Sequence, residues 1–364
     1  MTLPRCLKPF TELEISDAGK LLCCCWGKYG YLGDLHGQSI NQAWNNSQFQ
    51  KLRVAFYQNK YQKLCDARVC HVLLKDQIPP GKDELPNWLW DDINRGRTIL
   101  SSGPLKIKLS DIGTCNLNCI MCFRYFAPED SVFSRELVEK KIPEFLAENP
   151  NRELTIKLTG NGDPFARKET KQFLLNFNPN QYPNVSFEIL TNGQLLDEDT
   201  WKLIAHNKIE EINVSVDAAS KETYEKIRKG GNWDKLMKNL RMIGNLRKKG
   251  VINYFYINMV VMRSNYREII KFSELGKSLG CDEVNYQVIS GLHLREENFI
   301  DYYDRRIVEE IKSIFSSSEF LKVTAGLRIN KLQFDQLLNG KRGWKQYLKS
   351  EFKLIHGKIR DITN

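Results

Sequence analysis

The 364-residue chain is 41% hydrophobic and carries a formal net charge of +10. That apolar content supplies a full core and excludes a disordered chain, while no apolar run approaches the ~18 residues that cross a bilayer and the N-terminus lacks the apolar stretch of a signal peptide. A cytoplasmic protein of one large and one smaller domain is expected, and its excess positive charge suits general solubility as well as an acidic partner.

Ten cysteines with no signal for an oxidising compartment read as metal ligands rather than disulfides. Residues 1–75 are dense in them. Cys6 is followed by twelve residues, Gly19, four more residues and Cys24, and Cys65 and Cys70 close the segment. Between them a helix is expected from Ile40 to Tyr57, with Ala43, Trp44, Leu52 and Phe56 on one apolar stripe. Four thiolates gathered by a turn and a helix saturate an iron–sulfur cluster, which then serves electron transfer or structure because no iron stays open. A zinc site is the alternative. The C-x12-G-x4-C opening, and Leu32 to Ser47 followed by Phe49, Leu52 and Arg53, resemble the SPASM family. The resemblance implies one auxiliary [4Fe–4S] cluster on Cys6, Cys24, Cys65 and Cys70. Two departures stand out: a SPASM domain usually follows its catalytic domain, and the full form has seven cysteines. Cys23 and Cys25 flank Cys24, so the register of that ligand stays open.

Residues 76–104 read as a linker, punctuated by Pro79-Pro80-Gly81, Pro86 and Gly103-Pro104. Leu105 to Ser110 then alternates like a strand and runs into Cys115, Cys119 and Cys122, spaced C-x3-C-x2-C. Three thiolates hold a cubane by one corner and leave one iron open, as a catalytic centre needs; a zinc knuckle or buried thiols are the alternative. The run resembles the radical SAM signature. That resemblance implies a [4Fe–4S] cluster whose open iron binds the amino and carboxylate groups of S-adenosylmethionine, and a fold of the partial (β/α)6 barrel type. Met121 stands where the residue before the third cysteine is often aromatic, a position where soft contacts to a ring suffice.

The pattern through residues 105–300 supports such a barrel. Strands are expected at Leu154–Leu158, Val185–Leu190, Ile212–Val216, Tyr256–Met262 and Val284–Ile289, alternating with amphipathic helices at Asp197–His206, Asn232–Lys249 and Tyr266–Leu279. Pro143 should kink the helix Ser134–Asn149. Barrel enzymes place chemistry at the C-terminal ends of strands, and several strands here end in Gly, Asn or Asp. Gly160-Asn-Gly-Asp-Pro164 resembles the family's Gly-Gly-Glu motif, which implies Gly160, Gly162 and Asp163 around the amino group of S-adenosylmethionine. By the same resemblance Asn192 contacts the ribose, while Ser215 and Arg228 take the carboxylate, for which a planar guanidinium fork is suited. A capped helix with a solvated arginine is the other reading, with Ser220 as the cap.

Cys281 is a candidate hydrogen-atom donor of the kind some radical epimerases use, but it precedes its strand and also reads as a small buried thiol. The five histidines show no ligand spacing, and only His293 lies past a strand end. Residues 301–364 form a helical, basic extension for which no nucleic-acid module is evident, so nucleic acid is not an expected partner. The family resemblance implies an electron donor such as flavodoxin or ferredoxin and oxidative modification of a substrate. A ribosomally made peptide is the leading substrate. A sugar or aminocyclitol, dehydrogenated or epimerised, is the second reading, and a non-catalytic iron–sulfur or zinc protein the third.

Overall fold

The structure is a computed structural model that describes residues 4–16, 19–24, 27–65, 70, 85–110, 114–122, 132–159, 162–289, 296–300 and 304–339. The chain forms two compact units, one of Met1–Asn116, Arg124–Leu190 and Asp199–Glu210, the other of Leu117–Phe123, Thr191–Glu198 and Glu211–Asn364.

In the first unit the strand order is β2 (Leu21–Leu22), β1 (Glu12–Ile15), β3 (Lys106–Leu109), β4 (Leu154–Leu158) and β5 (Val185–Thr191). β1 and β2 are antiparallel, and the other neighbours are parallel. In the second unit β6 (Ile209–Ser215), β7 (Tyr254–Val261), β8 (Glu283–Val288) and β9 (Arg328–Asn330) lie side by side, all parallel. The fold class is the expected one, α/β, with β3 to β8 alternating with helices in the manner of a partial (β/α)6 barrel.

Several elements differ from their sequence-based outlines. The helix expected over Ile40 to Tyr57 is two helices, Ile40–Trp44 and Ser47–Tyr57, because the Asn46 side chain accepts from the amides of Gln48 and Phe49 and caps the second. Its stripe is as expected: Ala43, Trp44, Leu52 and Phe56 are all buried. The linker contains a helix, Asn87–Asn94, that begins after Pro86 and buries Leu89 and Ile93. The irregularity expected at Pro143 is a π-helical turn, Leu137–Lys141, just ahead of it, where the proline's missing amide and bulky ring disturb the i−4 ladder. Among the described residues the C-terminal extension is not wholly helical, since β9 joins β8 between the helices Ser318–Val323 and Leu332–Asn339.

Parallel strands are usually buried and apolar on both faces. Here one face of each unit's sheet is polar. In the first unit Lys106 and Lys157 pair with Glu188 at 2.6 and 3.0 Å, and Thr155 meets Ser186 at 3.3 Å. In the second, Asn258 bonds Asn213, Asn285 donates to Asn258 at 2.9 Å, Tyr256 donates to Glu211 and Tyr254 to Glu283. The opposite face is the core: Ile257, Met259 and Tyr286 are buried, and the Tyr286 hydroxyl donates to the Ile269 carbonyl on the helix Ile269–Ser278.

Candidate functional site

Near the N-terminus Cys6, Cys23, Cys24, Cys65 and Cys70 line one cavity with Phe56 and Tyr29. The local chain explains the convergence. Gly19 turns the chain from β1 to β2 at φ +75°, and a Cβ there would lie 2.5 Å from the Phe133 ring, so both conformation and space require glycine. Cys23 and Cys24 follow β2 directly. Cys65 is brought back by a bridge to Gly27 and by a 2.7 Å bond from the Lys28 amide to the Leu64 carbonyl.

Burial pushes the Cys6 and Cys65 thiols up to about 12. For Cys65 the neighbouring Cys6, Cys70 and Cys24 add to that push, so these four thiols face one another. Cys23 is the more deeply buried, at 1% exposure, and lies beside Tyr29. Apolar, closed surroundings keep such thiols protonated until a cation binds, and a metal reverses that preference. An all-sulfur donor set of this kind fits an iron–sulfur cluster or zinc. Cys25 lies outside the described residues.

The second cysteine group is divided between the units, with Cys115 in the first and Cys119 and Cys122 in the second. In the first unit the Asp163 amide donates to the Thr114 carbonyl at 2.9 Å, which ties the loop after β4 to the start of the cysteine run. The Asp163 carboxylate is wholly buried and accepts from the Phe165 amide at 3.0 Å, so it also shapes its own turn. Gly162 is half-buried, and Gly160 lies outside the described residues.

In the second unit the cysteine loop is clamped to the segment after the helix Lys221–Ile227: Asn118 donates to the Lys229 carbonyl at 2.8 Å and Ile120 to the Ile227 carbonyl at 2.9 Å. Arg228 sits between those two carbonyls in sequence. Its Nε and Nη2 donate to Asp217 Oδ2 at 2.8 and 2.5 Å, and its Nη1 lies 3.8 Å from Cys119 Sγ. Burial opposes the charge on Arg228, but Asp217 and Cys119 outweigh burial and keep it firmly protonated. Arg228 is therefore no solvated helix residue. Ser220 does cap the helix, accepting from the Thr223 amide.

Asn192 is buried, and its side chain accepts from the Gln194 amide at 3.0 Å. Gly193 beside it has φ +77°, with Leu236 and Val214 within 3 Å of where a Cβ would stand. Ser215 ends β6 opposite Asn258. Cys281 is buried ahead of β8, its amide bonded to the Gly276 carbonyl, and burial pushes its thiol well up. That is the N-terminal end of the strand. His206 bonds the Phe177 carbonyl and the His36 ring lies against Phe133, whereas His71, His293 and His356 fall outside the described residues.

Residues 109–276 match the radical SAM superfamily, and residues 6–71 match SPASM, an iron–sulfur cluster-binding domain. The chain carries a radical SAM domain. Its SPASM domain precedes the catalytic one, as the cysteine spacing anticipated. Radical SAM domains use a [4Fe–4S] cluster and S-adenosylmethionine, and SPASM is an iron–sulfur cluster-binding domain. The chain is 29% identical over 212 residues to a probable GTP 3′,8-cyclase of Saccharolobus islandicus, covering 57% of this chain and 63% of that protein. It is 26% identical over 227 residues to a probable GTP 3′,8-cyclase of Methanocaldococcus jannaschii, covering 60% and 67%. The chain thus spans less than two thirds of the length of the Saccharolobus relatives. Streptococcus suis SuiB bound to its precursor peptide SuiA is similar at 17% identity and a TM-score of 0.45, over 81% of this chain and 68% of that one. Among the described residues no helix is long and apolar enough to cross a membrane.

Proposed function

We propose that this enzyme oxidatively modifies a ribosomally made peptide. The observation that carries the reading is the cavity on which Cys6, Cys24, Cys65 and Cys70 converge. Four thiolates saturate one auxiliary [4Fe–4S] cluster, and a cluster without an open iron is a natural acceptor for the electron left after hydrogen abstraction. Cys115, Cys119 and Cys122 hold the catalytic cluster. Bound there, S-adenosylmethionine would supply on reductive cleavage the 5′-deoxyadenosyl radical that abstracts a hydrogen atom from the substrate. By the family resemblance Gly160, Gly162 and Asp163 would take the amino group of that cofactor, Asn192 the ribose, and Ser215 with Arg228 the carboxylate. The linked carboxamides of Asn213, Asn258 and Asn285 match the donors and acceptors of a peptide backbone. A cytoplasmic flavodoxin or ferredoxin supplies the electron.

The two readings of reaction type separate in D2O. A thiol proton exchanges with solvent, so an epimerase returns one deuterium to the inverted carbon, whereas an oxidation leaves none at the attacked carbon. The enzyme, reconstituted anaerobically and given reductant, S-adenosylmethionine and peptides encoded beside its gene, is expected to release 5′-deoxyadenosine and a product lacking a pair of hydrogens, without solvent deuterium. Cys281→Ala should keep this activity. A redox-neutral, deuterium-labelled product that loses its label in Cys281→Ala would overturn the oxidative reading. A nucleotide is the second substrate reading, favoured by the relatives named as probable GTP 3′,8-cyclases. Modification of GTP rather than of peptide, or of a sugar or aminocyclitol, in the same assay would decide for a small polar substrate.

A further inference from the structure

We propose that the buried Asp217–Arg228 pair positions the Cys119 thiolate and sets the reduction potential of the cluster that the cysteine triplet holds, Arg228 raising it and Asp217 lowering it. The inference rests on Cys119 being a cluster ligand. Three observations carry it.

The first is where the donors of Arg228 go. Two of its nitrogens are bound to one carboxylate oxygen of Asp217, and a third points at Cys119 Sγ, 3.8 Å away. An arginine waiting only for a cofactor carboxylate would not need its fork closed on an acidic partner of its own.

The second is how firmly Asp217 is held. It is wholly buried, with φ +65°, a conformation uncommon for a residue other than glycine. Its Oδ1 accepts from the Val260 amide at 2.7 Å, its carbonyl accepts from the Asn265 side chain at 2.8 Å, and its amide donates to the Asn258 carbonyl. Strain of this kind persists only where the surroundings over-determine it. The carboxylate therefore fixes the arginine rather than following it.

The third is the backbone on either side of Cys119. Asn118 and Ile120 donate to the carbonyls of Lys229 and Ile227, the two neighbours of Arg228. Backbone and side chain of one short segment thus grip the same cysteine from both sides.

Hydrogen bonds to cluster sulfurs and nearby charge set cluster potentials. A cation beside a thiolate ligand favours the reduced, more negative cluster, and Asp217 offsets part of that field. The two residues therefore pull in opposite directions on the potential while acting together on geometry.

The test is an electron paramagnetic resonance redox titration of the full chain, reconstituted anaerobically and measured without S-adenosylmethionine, so that cofactor binding plays no part. The triple variant Cys115→Ala, Cys119→Ala, Cys122→Ala supplies the auxiliary signal to be subtracted. Arg228→Gln is expected to shift the catalytic cluster to a more negative potential, Arg228→Lys to shift it less, and Asp217→Asn to shift it to a more positive one. Unchanged potentials, or shifts of one sign in Arg228→Gln and Asp217→Asn, would overturn the inference. Should Arg228→Gln fail to hold its cluster, Arg228→Lys and Asp217→Asn still decide by the opposition of their signs. Full iron in Cys119→Ala alone would instead overturn the ligand reading on which the inference rests.

Discussion

Arg53 is wholly buried in the first unit and is held by neutral oxygens: Nε donates to the Pro9 carbonyl, Nη1 to Asn45 Oδ1 and the Thr98 carbonyl, and Nη2 to the Trp44 carbonyl. Its guanidinium also stacks 4.4 Å from the Trp44 ring centre. Burial lowers its pKa to about 9, against the opposing pull of Cys23, Tyr57 and Asp92. Arg53→Leu leaves several buried acceptors without donors and should destabilise the protein by roughly 3–5 kcal/mol, read from denaturant midpoints at neutral pH. A loss under about 1 kcal/mol would show that the cage is dispensable. The sequence placed Arg53 in the SPASM pattern but offered no sign of the cage, because its partners lie 8 to 45 residues away along the chain. Arg228 is the parallel case: its place after the fourth predicted barrel strand was legible, its clasp on Asp217 and Cys119 was not.

At the scale of single elements, β1 shows what short segments conceal. Glu-Leu-Glu-Ile is too brief and too acidic to stand out beside a cluster of cysteines, yet it pairs in parallel with β3, residue Glu12 opposite Lys106. The pairing is reinforced by Glu12, whose carboxylate meets Lys108 at 2.5 Å and Lys8 at 3.3 Å. Burial opposes its ionisation, but Lys8 and Lys108 outweigh it and hold the carboxyl at about 2 instead of 4.5. A depressed folded-state pKa stabilises above the unfolded value, and that contribution is lost as pH falls from 4.5 toward 2. Urea midpoints across this range should therefore drop steeply for the native chain and less steeply for Glu12→Gln, which starts lower at neutral pH. Equal slopes would mean that other carboxylates dominate acid unfolding. β4 is the opposite case, legible to the residue, because Leu154, Ile156 and Leu158 alternate with Thr155 and Lys157 and the burial follows the same period.

For the whole molecule the open question is cluster count. If the triplet holds one cubane and the N-terminal cavity another, anaerobically reconstituted protein binds about eight irons and the triple alanine variant of the triplet keeps about half of them, with a cluster absorption spectrum. Iron analysis alongside zinc analysis decides the matter. Zinc alone in the triple variant would make the N-terminal site structural, and electron acceptance during oxidation would then need another group. The same variant should release no 5′-deoxyadenosine while its circular dichroism matches that of the native chain.

By itself the sequence determined what depends on local spacing. The cysteine intervals, the period-two strands and the glycine at each tight turn follow from covalent geometry and steric limits that operate over a few residues. Tertiary structure alone decided what depends on partners distant in the chain. It brought Cys23 and Cys24 together with Cys6, Cys65 and Cys70 around one cavity, and it joined the N-terminal segment to the sheet through β1. It also closed Arg228 on Asp217 beside Cys119, 109 residues away. In each case the choice among several residues of the same chemistry is made by burial and by satisfaction of buried charges and hydrogen bonds, and these exist only once the chain has packed.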